Sequence, residues 1–130
     1  MNLDHILSSL IYLGSCFAIF AVGHLVFILF RRGYSLKDEL VEKDNMAFAL
    51  VLCGYYLGLT FSIGGVIAGP SSGLENDLID MLVYGSLAIV LLNFSALINN
   101  RFILSEFDIR KEILDDQNSG TGVVEFAVFV

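Results

Sequence analysis

From Ile6 to Phe30 the chain runs for about 25 residues without Asp, Glu, Lys or Arg, more than the roughly 20 apolar residues that an α-helix needs to cross the hydrocarbon core of a bilayer. No other feature constrains the fold as strongly, because a segment in lipid must satisfy its own backbone N–H and C=O groups and is therefore helical. Two further apolar segments follow, Met46 to about Ala68 and Leu78 to about Ile98. A fourth opens at Gly120 and stops at Val130, about 11 residues later, which is too few to cross. The expectation is a fourth helix that is either short or cut by the end of the chain. Only 16% of the residues are charged and 56% are hydrophobic, against about 25% charged in a soluble domain. A soluble fold of this size could not hide so much apolar surface. The start Met1-Asn2-Leu3-Asp4-His5 lacks a basic residue, and the apolar run is too long for a cleaved signal peptide.

All seven basic residues, Arg31, Arg32, Lys37, Lys43, Arg101, Arg110 and Lys111, fall in the two connectors at 31–45 and 101–118. By the positive-inside rule these connectors are cytoplasmic, with the N-terminus and the Gly69-Pro70-Ser71-Ser72-Gly73 turn outside. That short turn makes the second and third segments antiparallel neighbours. Within the first connector, Leu36, Leu40 and Val41 recur at helical spacing and read equally as a surface amphipathic helix or a solvated loop. Asn45 is a good N-cap for the helix that follows. The net charge of −7 excludes nucleic acid as a partner, since phosphate binding needs a basic face.

The two connectors are related. Sliding the sequence by 73 positions lays Glu112 on Glu39, Asn118 on Asn45, and Gly120 and Gly122 on Ala47 and Ala49. A repeat at fixed offset reads as two copies of one unit, here a helical hairpin. The expected architecture is a single all-α transmembrane domain over 1–130, with repeat one at about 5–69 and repeat two at about 78–130. Each unit holds two crossings, so the symmetry axis should lie along the membrane normal.

Three polar residues within the apolar segments are candidates for function: His24, Asn93 and Glu125. Counted at 1.5 Å per residue from the connector ends, all three lie roughly 7–11 Å into the membrane. An ionisable group at such depth is expensive and normally faces protein or a water-filled cavity. One reading has Glu125 reaching back to the interface and His24 donating to a nearby carbonyl. The sharper reading pairs His24 with Glu125 as a proton-responsive gate or ion site. Small residues at Gly14, Gly54, Gly58, Gly65, Gly120 and Gly122 read as helix-packing positions, and Ser8, Ser9, Ser15 and Ser62 as hydrogen-bonding groups between helices. Cys16 and Cys53 lie in apolar runs and behave as small hydrophobes. No nucleophile with a positioned base, metal set or nucleotide-binding loop is present, and one His at suitable depth does not make a bis-histidine haem site, so neither enzyme activity nor a cofactor or metal is expected.

The Asp44-Asn45-Met46-Ala47-Phe48-Ala49-Leu50 entry with Gly54-Tyr55, the Ile67-Ala68-Gly69-Pro70-Ser71 exit, and the stretch Phe107-Asp108-Ile109-Arg110-Lys111-Glu112-Ile113 continuing through Asp116-Gln117-Asn118-Ser119-Gly120-Thr121-Gly122-Val123-Val124-Glu125 resemble the domain-of-unknown-function 350 family over about residues 5–130. That resemblance implies a four-helix protein of the bacterial inner membrane, sometimes duplicated within one longer chain, and brings no established activity with it. Family members usually finish the fourth helix, whereas this sequence stops at Val130. The expected function is a homo-oligomer in the lipid bilayer that forms or gates a path for an ion or small solute. The alternative is an anchor or signalling module whose connectors dock a soluble cytoplasmic partner. A pore requires polar side chains around an axis; an anchor has a dry core with its chemistry at the connectors.

Overall fold

The structure is a computed structural model that describes residues 3–130. Five α-helices account for most of them: α1 (Leu3–Phe30), α2 (Met46–Ile67), α3 (Leu74–Ile98), α4 (Ile109–Leu114) and α5 (Ser119–Phe129). Wide π-type turns span Asp38–Glu42 and Asn99–Ile103, the second extending α3 directly. α1, α2 and α3 are each long and apolar enough to cross a membrane; α5, with 11 residues, is shorter than a crossing. The expected all-α membrane bundle is thus the architecture observed.

α2 lies at the centre and packs against α1, α3 and α5. Its core is aromatic: Phe27 of α1 meets Tyr55 at 4.9 Å and Phe48 at 6.5 Å between ring centroids, and Phe129 of α5 meets Tyr55 edge-on at 5.4 Å. Offset and edge-on aromatic pairs of this kind are worth about 0.5–1.5 kcal/mol beyond the area they bury. The pairings also fix direction. Gly23 of α1 lies against Ile89 of α3 as well as Leu59 of α2, and Gly85 of α3 against Ile19 of α1, so α1 and α3 run parallel and α2 runs against them. α5 runs with α2, since Gly122, Phe126 and Phe129 meet Ala47, Gly54 and Gly58 in that order. Large apolar side chains such as Leu10, Phe17, Leu25, Leu82 and Val90 point outward, as they should where the solvent is lipid.

Local sequence sets the helix starts. At α2 the Asn45 side chain accepts from Phe48 N, and at α5 the Asn118 side chain accepts from Gly120 N, each satisfying an orphan donor of the first turn. The two caps share more than the residue type. Asp44 and Gln117 both turn into the left-handed region at φ 49°, and the Asn45 and Asn118 amides each donate at 2.8 Å to the carbonyl six residues back, Glu39 and Glu112. Their side-chain amides then bond the Glu39 and Glu112 carboxylates at 2.7 and 2.8 Å. The cap geometry therefore recurs at the offset of the sequence match.

One expected boundary shifts. α3 begins at Leu74, not Leu78, because the acidic pair Glu75 and Asp77 belongs to its first turn, where carboxylates are favoured by the helix dipole. Asp77 also closes the Pro70 turn, accepting from Ser71 Oγ at 2.6 Å, Ser72 N at 2.9 Å and Tyr12 Oη at 2.7 Å. The first connector holds a short helical stretch over 36–42 that ends in the wide turn, with Leu36 and Leu40 packed on the core and Val41 exposed.

Candidate functional site

The end of the bundle that carries the connectors gathers its buried polar groups. Glu125 of α5 is 1% exposed, placed there by the same helical face that seats Gly122 and Phe129 against α2. One carboxylate oxygen accepts from Asn99 Nδ2 at 2.8 Å and the other faces Arg31 Nη2 at 3.5 Å. The Arg31 guanidinium lies over the rings of Phe27 at 4.4 Å and Phe129 at 5.2 Å, a cation–π sandwich that holds it in a low-dielectric setting. Beside this cluster Asn45 Nδ2 bonds both the Glu39 carboxylate and the Ile113 carbonyl at 2.7 Å, tying the first connector to the second. Lys43 bonds the other Glu39 oxygen at 2.7 Å, and that bond holds the ammonium above its ordinary range.

A second polar chain lies deeper. Tyr55 Oη donates to the Gly23 carbonyl at 3.0 Å, and Asn93 Nδ2 donates to Tyr55 Oη at 3.1 Å and to the Ile89 carbonyl at 2.8 Å. Asn93 Oδ1 is buried and has no hydrogen-bond partner among the described residues. Asn93 is among the residues that line a cavity of about 280 Å³, with Arg31, Arg32, Tyr34, Asn100 and Arg110. Burial pushes the Tyr34 phenol up, so it stays neutral.

These positions correct several expectations. His24 and Glu125 do not share a site: His24 Nδ1 lies 2.6 Å from Tyr56 Oη, while Glu125 is held by Asn99 and Arg31. The depth count placed only backbone levels, and the long arginine stem reaches past its own level to the carboxylate. Arg31 lies one turn beyond Phe27 on the same face of α1, a spacing that marks it as a core neighbour as well as a topology signal. Asn99, Tyr55 and Tyr56 were likewise not signalled by composition. Of the glycines, Gly54, Gly58 and Gly122 stand at close backbone contacts, but Gly14 and Gly65 face open space and Gly120 meets only its own cap residue, Asn118. The serines do not bridge helices. Ser8, Ser9, Ser15 and Ser62 each bond the carbonyl four residues back, on Asp4, His5, Ile11 and Gly58, the nearest acceptor for a hydroxyl in lipid.

An all-helical bundle with three helices fit to cross a membrane, and with its buried polar side chains gathered toward one end, defines a helical membrane protein. Within that class, a family model described as Domain of Unknown Function (DUF350) matches residues 1–130, and the chain belongs to that family. No curated protein and no solved structure matches it.

Proposed function

We propose that this protein is an anchoring or signalling module of a bacterial inner membrane, with the N-terminus outside and the 31–45 and 101–118 connectors docking a soluble cytoplasmic partner. One observation carries the reading: the centre of the bundle is filled by Phe27, Phe48, Tyr55 and Leu59, each at most 1% exposed, whereas the charged network lies at the connector end. A plugged centre leaves no path through one chain. The network instead braces two connectors against each other through Asn45 and Ile113, which suits a surface that must keep its shape for a partner. The second reading, permeation through a homo-oligomer, is favoured by the open faces at Gly14, Gly64 and Gly65, where another copy could approach closely; a path would then run between subunits.

Reconstitution decides between them. Purified protein in liposomes should pass ions and small solutes no faster than empty liposomes, and photocrosslinkers placed at Val41 and Phe107 in cells should capture a discrete soluble protein that one at Ser72 does not. Ion flux that disappears in Glu125→Gln would overturn the docking reading in favour of permeation.

Orientation has its own test. In a background lacking Cys16 and Cys53, Ser72→Cys should react with a membrane-impermeant thiol reagent added to intact cells, and Gln117→Cys only after the membrane is opened. The reverse pattern would invert the topology.

A further inference from the structure

The arginine-lined cavity between the connector ends of α1 and α3 is not used by the docking reading, and its chemistry points elsewhere. Arg31, Arg32 and Arg110 line it, and among the described residues no carboxylate does. Arg31 is matched by Glu125, but among the described residues neither Arg32 nor Arg110 has an ion-pair partner. Arg110 is nonetheless held in place. It lies 6.0 Å from the Tyr34 ring centroid, and its guanidinium rests against Gly33, whose φ of 97° and missing side chain make the room. Asn93, itself only 5% exposed, also lines the cavity. Two guanidiniums without carboxylate partners, lining a cavity whose described walls hold no acidic residue, describe a site for an anion.

The walls identify the source of that anion. Phe30 and Leu97 line the cavity and are 69% and 55% exposed, so its apolar side continues onto the lipid-facing surface. Arg31 and Arg32 follow directly on the 28-residue apolar helix α1, at the level where a membrane-spanning helix leaves the hydrocarbon and meets head groups, and Arg110 joins them from the first turn of α4. Basic pockets at this level between membrane helices bind lipid phosphates, and planar guanidiniums match phosphate oxygens in pairs. We propose that this cavity seats the phosphate of an anionic phospholipid, with Arg32 and Arg110 as its donors and the acyl chains leaving past Phe30 and Leu97.

The test compares lipid retention and thermal stability of the purified full chain in detergent. Wild type should keep phosphatidylglycerol through purification in preference to phosphatidylcholine and melt higher with the former added. Arg32→Gln with Arg110→Gln should lower that retention at least tenfold while keeping the helical circular dichroism of wild type. Arg32→Lys with Arg110→Lys should recover part of it. Lys37→Gln with Arg101→Gln removes the same charge away from the cavity and should leave retention unchanged. Equal retention of the two lipids, an equal loss in the Lys37/Arg101 control, or displacement of the lipid by millimolar inorganic phosphate would each overturn the assignment, the last by making this a site for soluble phosphate.

Discussion

Arg31→Met should destabilise the bundle by about 3 kcal/mol or more, the largest loss expected from any single polar side chain. Methionine keeps most of the stem that packs on Phe27 and Phe129, so the change isolates the charge. Without the guanidinium, Glu125 remains 1% exposed with Asn99 as its one hydrogen-bond partner among the described residues. Removing one member of a buried pair typically costs about 3–5 kcal/mol because the other charge is left uncompensated. Glu125→Gln should be milder, about 1–3 kcal/mol. The amide oxygen can still accept from Asn99, and Arg31, with 11% of its side chain exposed, can turn toward water. The double variant should then fall short of the sum of the two singles by at least about 1 kcal/mol. Unfolding in a denaturing detergent, followed by circular dichroism, measures all three. Additive losses would show that the pair, at 3.5 Å, contributes nothing as a pair. His24→Gln combined with Glu125→Gln should be additive, since His24 is bonded to Tyr56 and shares no partner with Glu125.

How far the sequence could be read depended on the kind of signal. Span existence was legible because a 25-residue stretch free of charge has one solution in lipid, and the start of α2 was legible because Asn45 supplies a cap that hydropathy does not obscure. Hydropathy misplaced the start of α3 by treating Glu75 and Asp77 as loop, although acids in a first turn are a helix signal in their own right. Rotation of the helices was not legible at all. A soluble helix shows its core face as an apolar stripe, but a membrane helix is apolar on every side, so nothing along α1 says that His24 turns to Tyr56 while Arg31 turns to Glu125. The small-residue pattern failed for the same reason. Gly54 and Gly65 look alike in sequence, and only packing shows that one lies under α5 and the other under nothing.

That contrast yields the second large effect. Leucine at Gly54 or Gly58 should cost more than the roughly 1–3 kcal/mol typical of overpacking, because what it meets is backbone. A Cβ on Gly54 would lie 2.7 Å from Phe126 Cα, and one on Gly58 would run into the Phe129 carbonyl oxygen and stand 2.8 Å from Leu92 Cδ2. Side chains can swing aside; a helix backbone moves only as a unit, so α5 would have to lift off α2. Lifting it exposes Glu125 and breaks its contacts with Arg31 and Asn99, which adds the loss of the charged cluster to the steric term. Even Gly54→Ala should therefore be measurably destabilised, and Gly54→Leu should lose α5 docking, read as new protease sensitivity between Asp116 and Gly120. Gly14→Leu and Gly65→Leu, which meet nothing within 4 Å, should change the stability of one chain by no more than about 0.5 kcal/mol. If leucine is tolerated at Gly54 and Gly58 as well as at Gly65, α5 does not pack on α2 as described. If Gly65→Leu keeps the single-chain stability but reduces particle size in detergent, the open glycine face is where copies of the chain meet.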